Sequence, residues 1–342
     1  MEAPTKIVAK VSRIEVARKF LSPAPDGLLR QLVDAGDITP EQAQLAKRIP
    51  LAQDITAEAD SGGHTDNRPL VTLLPTMLAL RNLVQQDLLY DLPLRIGAAG
   101  GISTPWSAAA AFSMGAAYIV TGSINQACRE SGSSDVVRQM LAETRQADVV
   151  MAPAADMFEM GVKLQVLKRG TMFPMRAAKL WEIYRSRSSL EDLTKQERSQ
   201  LEQTIFQLPL DEVWNQTCKF FEARDPTQLS RADRDPKHKM ALVFRWYLGQ
   251  SSRWANRGDP NRKIDYQVWC GPAMGAFNEW VNGSFLEPVA NRRVADVALN
   301  ILYGSAVLTR TNILRTQRVF LPPGQPNLRP LSPPDLLRRI RT

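Results

Sequence analysis

The sequence predicts an α/β fold in which four parallel strands alternate with helices and a mostly helical region follows. Three observations support this prediction. Short runs rich in β-branched residues alternate with amphipathic stretches between residues 6 and 130, which is typical of a parallel sheet with crossover helices. Glycine-bearing turns follow the predicted strands, and the strand pattern is lost after about Gln146.

The strands and helices of the first part follow one another in chain order. The strands are predicted at residues 6–12, 55–58, 94–98 and 118–121. The main helices are predicted at residues 14–21, 28–35, 70–83 and 105–114, where apolar residues recur at helical spacing. Because parallel α/β folds place ligands at the carboxyl ends of their strands, the glycine-bearing turns there are the first candidates for a site.

The second part favours helices. Pro174 is expected to open one helix, and others are predicted at residues 194–206, 211–223, 237–254 and 294–311. The proline-rich end predicts a stiff, extended tail with a short last helix at residues 335–340. We therefore divide the chain into residues 1–150, 151–318 and 319–342.

Composition limits the classes of function. The chain has 342 residues, 44% of them hydrophobic, and a formal net charge of +8. The basic end, residues 291–342, carries nine arginines against two aspartates, so it could attract an acidic partner or be a solvated tail. No helix-turn-helix, zinc finger or aromatic–basic sheet pattern points to nucleic acid. No apolar run predicts a membrane span or a secretory signal, so we expect a cytoplasmic protein without a membrane partner.

The three cysteines do not suggest a disulfide framework. Cys128, Cys218 and Cys270 are too scattered for that, and no histidine or cysteine spacing suits a metal. We expect buried, unreactive thiols and no metal site.

Three turns carry the chemistry. They read EADSGGHTD at residues 58–66, GAAGGIST at 97–104 and TGS at 121–123. The latter two follow strands, and the second also precedes a helix, so their backbone amides can hold an anion such as a phosphate. A glycine in such a turn can also be required for steric reasons alone, so each turn by itself is weak evidence.

These turns, together with APAADMFEMGVKLQVLKRGTMFP at residues 152–174, resemble the PfaD family over nearly the whole chain as far as Gln317. PfaD proteins are flavin-dependent enoyl reductases that act in trans with polyunsaturated fatty acid and polyketide synthases, and they are related to nitronate monooxygenases (2-nitropropane dioxygenases). The resemblance implies that residues 1–150 are the C-terminal half of a (βα)8 TIM barrel with turns for the phosphate of FMN. It also implies NADPH or NADH as reductant and an acyl carrier protein as partner.

The resemblance implies eight cofactor-binding residues, on the three turns and near the end of the first strand. They are Lys10, Gly62, Gly63, Ala99, Gly100, Gly101, Gly122 and Ser123. The double glycine of the first turn would approach the flavin, and the two later turns would hold its phosphate.

His64 follows the double glycine. The histidine at this place in the related monooxygenases is the catalytic base, so the resemblance makes His64 the candidate catalytic residue. An imidazole can donate a hydrogen bond to a thioester carbonyl or supply a proton, and a loop histidine held by local hydrogen bonds is the third possibility. The other histidine, His238, lies between two lysines and is expected at the surface.

Several further side chains have two interpretations. Asp60 and Asp66 are expected to hold the turn rather than to act as acids. Lys168 and Arg169 could meet a phosphate but are expected to be solvated. A set of methionines and phenylalanines could line an acyl channel or belong to an ordinary hydrophobic core. These residues are Met157, Phe158, Met160, Met172 and Phe173.

A closed barrel has eight strands, and the resemblance covers only four. An open sheet leaves two edges and an apolar inner face without a cover. A partner chain with the first four strands, a second copy of this chain, or a gene fragment without activity would each account for this. We expect the chain alone to bind flavin weakly or not at all.

Three functions stay open. The first is an enoyl reductase component that reduces enoyl thioesters on an acyl carrier protein. The second is nitronate oxidation on the same flavin, and the third is a non-catalytic docking subunit.

Overall fold

The computed structural model describes residues 7–322 and 327–341. Lys6, the first residue of the predicted first strand, lies outside the described residues, as do Pro323 and Pro326 of the predicted tail.

Within the described ranges, seven strands form two sheets. In chain order they are β1 (Val8–Val11), β2 (Asp54–Glu58), β3 (Gly63–His64), β4 (Arg95–Ala99), β5 (Ile119–Val120), β6 (Val149–Pro153) and β7 (Lys163–Leu167). The first sheet is parallel and has the order β1-β2-β4-β5. Each later strand is added on the same side of the one before it, as in a barrel, whereas the strand order of a doubly wound sheet reverses direction. This confirms the predicted half-barrel of four parallel strands.

The helices surround the first sheet and build most of the second part. They are α1 (Ile14–Leu21), α2 (Asp26–Asp34), α3 (Pro40–Ala46), α4 (Leu70–Leu88), α5 (Pro105–Ser113), α6 (Ser123–Gln126), α7 (Asp135–Ala142), α8 (Phe173–Ser186), α9 (Lys195–Gln200), α10 (Leu210–Arg224), α11 (Thr227–Ala232), α12 (Pro236–Arg257), α13 (Ala273–Val281), α14 (Val294–Thr316) and α15 (Pro333–Arg341). A π-helical turn, Leu201–Phe206, continues α9. The sequence did not predict α3, α6, α7, α11 and α13.

The second sheet corrects the expectation that strands end after Gln146. It is antiparallel in the order β3-β7-β6, and His64 of β3 pairs with Leu164 of β7. The runs that form β6 and β7 are only five residues long, and buried residues fill most of β7. Such short apolar runs lack the alternation that marks a half-exposed strand. The antiparallel sheet places His64 beside β7 rather than at the end of a parallel strand.

Buried apolar residues form two main cores. The first contains Ile55 and Ile96 of the parallel sheet together with Phe277 of α13 and Ile301 of α14. The second contains residues between 152 and 248, including Phe158 at its centre. The predicted helical region, residues 151–318, therefore contributes to both cores, because the chain returns to the parallel sheet after α12.

The inner face of the parallel sheet is polar, so the expectation of an apolar inner face is wrong. Successive strand residues point to opposite faces, and Ile55 and Ala57 point to the first core. The neighbouring positions carry hydrogen-bonded pairs. The pairs are Asp54 with Arg95, Lys10 with Glu58, and Thr56 with Tyr118, at 2.6, 2.6 and 3.0 Å. Because these groups satisfy one another, an apolar partner is not needed to cover this face.

The C-terminal tail packs on the body of the protein. Leu328 is buried against Ala109 and Leu308, and its carbonyl accepts a hydrogen bond from Trp280 Nε1 at 2.8 Å. α15 confirms the predicted last helix. Part of the described tail is therefore held by α5, α13 and α14 rather than solvated.

The cysteines behave as expected where they are buried. Burial raises the pKa of the Cys128 thiol to about 11 and that of the Cys270 thiol to about 12. Cys218 is half-buried, and burial raises its pKa as well. Within the described ranges, no helix has the length and apolarity that a membrane span requires.

Candidate functional site

The carboxyl ends of the parallel strands surround a cavity of about 120 Å³. Seven of the nine predicted site residues line it: Lys10, Gly62, Ala99, Gly100, Gly101, Gly122 and Ser123. The three turns thus meet at one place, as parallel strands require when their carboxyl ends share an edge. Gly63 and His64 do not belong to the lining of this cavity.

The turn after β4 requires glycine for steric reasons, and some of its backbone amides have no hydrogen-bond acceptor among the described residues. Gly100 has a φ of +85°, and a Cβ atom there would lie 2.6 Å from the backbone of Ala59. Gly101 follows with a φ of +73°. In the described part of the chain, the amides of Gly100, Gly101 and Gly122 donate no hydrogen bond. Unpaired amides beside a cavity require a ligand or water, and several together suit an anion.

Gly122 fits a bound ligand better than it fits a steric need of the fold. A Cβ atom there would meet no atom within 4 Å. No protein neighbour therefore requires a glycine at this place. The free space lies in the lining of the cavity, where a Cβ atom would occupy room that a ligand could use.

The size of the cavity allows only part of FMN. Sites that enclose a cofactor commonly measure about 300–1,000 Å³, and this one is smaller. The amide donors suit the phosphate, so these residues fit that end of FMN. Lys10 supplies the positively charged side chain in the lining of this cavity. Its Nζ already donates a hydrogen bond to Glu58 at 2.6 Å, and Ser61 also donates to Glu58. The amides would therefore supply most of the attraction for an anion.

The structure adds a segment, residues 269–271, that sequence reasoning missed. It crosses the first turn so closely that a Cβ atom at Gly63 would lie 2.6 Å from the indole of Trp269, and one at Gly62 would lie 2.9 Å from the backbone of Cys270. The double glycine therefore has a packing cause. Gly271 lines the cavity, and its amide donates to Ser123 Oγ at 3.1 Å.

The same criterion that found the three turns could have found this segment. The sequence YQVWCGPAMG, residues 266–275, is a strand-like run that ends in a glycine turn and leads into α13. Gln126 also escaped prediction, although it lines the cavity and its side chain donates to the carbonyl of Trp269 at 2.8 Å. No motif marks a single glutamine of this kind.

His64 is the second residue of β3, in the antiparallel sheet. Its Nε2 is 3.0 Å from Asp156 Oδ1, and its ring packs edge-on against Trp269 with 5.5 Å between the ring centroids. The side chain is 34% exposed. Because a carboxylate can only accept, Nε2 carries the proton and Nδ1 is left to accept one. The arrangement holds the imidazole in one tautomer and leaves one nitrogen for proton transfer.

The aspartates of the first turn hold its shape. Asp60 accepts a hydrogen bond from Asn67 at 2.8 Å. Asp66 accepts one from Ser12 and pairs with Arg13, whose guanidinium lowers the pKa of that carboxyl. Both contacts agree with the expected structural role.

His238 is buried, which corrects the expectation of a surface position. Only 2% of the residue is exposed, and Nε2 lies 3.0 Å from Gln228 Oε1. Burial lowers the pKa of His238. The flanking lysines misled the prediction because successive residues of a helix point in different directions.

The possible acyl-channel residues are divided between core and surface. Phe158 and Phe173 are buried in the second core, which favours the core interpretation for both. Met160 and Met172 are exposed. Lys168 and Arg169 are exposed as expected.

Comparison with known proteins gives the chain relatives over most of its length. It is 52% identical over 317 residues to one of the polyunsaturated fatty acid synthase subunits of Thraustochytrium sp.. It is 44% identical over 317 residues to "Polyketide biosynthesis protein PksE" of Bacillus subtilis. Among solved structures, the enoyl reductase domain of MlnA, from the macrolactin biosynthesis cluster of Bacillus amyloliquefaciens, is 42% identical with a TM-score of 0.85.

The shares of each protein that are matched differ widely. The Thraustochytrium match covers 91% of this chain and 21% of that protein, and the Bacillus subtilis match covers 93% and 40%. The MlnA match covers 90% of this chain and 69% of that domain. The chain thus spans about a fifth and two fifths of the two curated relatives. Residues 187–266 also match the family described as acyl-carrier-protein S-malonyltransferase, inserted helical domain.

Proposed function

The chain belongs to the PfaD family of enoyl reductases, and on that premise we propose that it is the FMN-dependent enoyl reductase component of a polyunsaturated fatty acid or polyketide synthase. Its substrate would be an enoyl thioester carried by an acyl carrier protein. NADPH or NADH would be the reductant. The proteins it resembles are named as synthase subunits or biosynthesis proteins, which supports a partner of this kind.

One observation carries the proposal. Six residues predicted on three separate turns line the same cavity together with Lys10 of β1, and three glycine amides of the two later turns donate no hydrogen bond within the described residues. Amides in fixed positions bind a phosphate without the cost of rearranging the chain. We assign them to the phosphate of FMN.

FMN, when bound, would supply the hydride that adds to the β-carbon of the enoyl thioester. The residues of this chain would hold the phosphate of FMN. The larger part of the cofactor would be contacted by another protein surface. We propose that a chain with the first four strands, or a second copy of this chain, provides that surface. β1 offers an edge for it, since in the described residues β1 pairs with β2 alone.

His64 would move the proton that completes the reduction. Asp156 accepts from Nε2, so Nδ1 is the atom that accepts or gives the proton. Of the roles open to an imidazole here, the hydrogen bond favours proton transfer through Nδ1. A positioned acid or base of this kind contributes on the order of 10²–10⁴ in rate.

The test is NADPH-dependent reduction of crotonyl acyl carrier protein by the chain combined with FMN and its synthase partners. We expect His64→Ala to reduce turnover about 100-fold or more while FMN binding persists. Lys163→Ala, at an exposed position of β7, is the matched control and should leave turnover unchanged. Turnover of His64→Ala equal to the wild type would contradict the assigned role.

The same preparation separates the other two functions. Oxidation of a nitronate without any carrier protein, in the absence of enoyl reduction, would replace the proposal by a monooxygenase. Salt-sensitive binding to an acidic acyl carrier protein without flavin would indicate a docking subunit, because exposed charges are screened beyond about 8 Å at physiological salt.

A further inference from the structure

A second, larger cavity lies between α10 and α12, apart from the glycine turns. It measures about 480 Å³, within the range of about 300–1,000 Å³ that is common for small-molecule sites. None of the residues predicted for cofactor binding lines it. No sequence motif marks this cavity, because most of its lining comes from positions on α10 and α12 that are separated along the chain.

The lining is apolar and aromatic on one side. Phe220 and Phe221 of α10 face Leu242 and Trp246 of α12 across the cavity wall. Phe220 is exposed at 36% although it is a large apolar side chain. Aromatic and aliphatic walls of this kind bind an apolar chain by removing it from water.

Two arginines add positive charge to the lining of this cavity. Arg224 and Arg253 both line the cavity, and their guanidinium carbons lie 5.2 and 5.4 Å from the centroid of the Phe220 ring. Neither has a carboxylate within 4.0 Å in the described ranges, whereas Arg245 of the same lining pairs with Glu159. Contact with a ring uses the face of a guanidinium and leaves its N–H edge free for an anion.

A glycine in the middle of α12 makes room in this cavity. Gly249 lines the cavity, and a Cβ atom there would meet no atom within 4 Å. An alanine would stabilise the helix, so the glycine has no benefit for local structure. Its absent side chain leaves the cavity wider at this turn of the helix.

We propose that this cavity binds a flexible apolar chain that ends in one anionic group. The aromatic wall would take the chain, and Arg224 and Arg253 would take the anion. The anion could be the phosphate of a pantetheine thioester or the carboxylate of a free fatty acid, which share this chemistry. Asp156 lines the same cavity and bonds to His64, so the bound chain would lie next to that pair.

Calorimetric titration of the chain tests the proposal without flavin or turnover. Decanoate and S-octanoyl-4′-phosphopantetheine are the anionic probes, and decanol and S-octanoyl pantetheine are their neutral counterparts. We expect at least one anionic probe to bind about tenfold tighter than its neutral counterpart, with the difference shrinking as salt is added. The pair that shows the difference identifies the source of the anion. Equal affinity within both pairs would overturn the proposal.

Variants locate the binding. Arg224→Gln combined with Arg253→Gln should remove the preference for the anionic probe, whereas Arg257→Gln, on α12 but outside the cavity lining, should keep it. Gly249→Leu should weaken all probes about tenfold or more by filling the cavity, and urea unfolding of this variant checks that it is folded. Unchanged binding in a folded Gly249→Leu variant would overturn the assignment to this cavity. These outcomes are independent of whether the chain reduces enoyl thioesters.

Discussion

Two glycines, Gly97 in β4 and Gly122 in the turn after β5, should differ strongly in how much stability an alanine substitution costs. A Cβ atom at Gly97 would lie 2.1 Å from a ring carbon of Tyr118, far inside van der Waals contact. The ring would have to move, and its hydroxyl is hydrogen-bonded to the buried Thr56 at 3.0 Å. A Cβ atom at Gly122 would meet no atom within 4 Å.

The expected magnitudes follow from these contacts. Overpacking of a core costs about 1–3 kcal/mol, and loss of the Tyr118 hydrogen bond adds about 1 kcal/mol, so Gly97→Ala should lower the free energy of unfolding by about 2–4 kcal/mol. Gly122→Ala should change it by less than about 0.5 kcal/mol. The difference separates a glycine that the fold requires from one that we assign to a ligand.

Urea unfolding of both variants, followed by tryptophan fluorescence and by circular dichroism, gives the two free energies. Coincident transitions by the two probes validate the comparison. Equal losses of stability in the two variants would refute the reasoning, as would a larger loss in Gly122→Ala. In that case the open space at Gly122 would not be a property of the folded protein.

Three further predictions concern stability and proton transfer. Burial raises the pKa of Cys128 from 9.0 to about 11, so its protonated thiol stabilises the fold below pH 9 and this contribution is lost as the pH rises toward 11. The free energy of unfolding should therefore fall between pH 9 and 10 by about 1 kcal/mol less in Cys128→Ala than in the wild type. The same fall in both proteins would contradict this. Leu328→Ala should cost about 2–5 kcal/mol in urea unfolding because the tail is packed, and no loss would show a free tail. Asp156→Asn should lower turnover by about tenfold or more because it no longer fixes the His64 tautomer, and unchanged turnover would argue against the pair.

The sequence predicted the parallel sheet well because local signals agree there. The alternation of β-branched runs with amphipathic helices reflects burial between helices and strands, and the four predicted strands correspond to β1, β2, β4 and β5. Helix α1 was predicted with the bounds that the structure has, since apolar positions repeat at helical spacing over its whole length.

The rest depends on contacts between distant parts of the chain. The hairpin of β6 and β7 was missed because buried strands show no alternation. The return of residues 269–271 over the first turn cannot be derived from local propensity, although it explains the double glycine better than a flavin does. The polar inner face was missed for the same reason: Asp54 and Arg95 look solvated in sequence, and only the strand register pairs them.

The measurement closest to the central claim is a titration of the isotope-labelled chain by amide NMR, with FMN and, in parallel, riboflavin, which lacks the phosphate. If the two later turns hold the phosphate, the amide resonances of Gly100, Gly101 and Gly122 shift with FMN and not with riboflavin, even where binding is weak. Shifts of equal size with both molecules, or no shift at these three amides with FMN, would contradict the account.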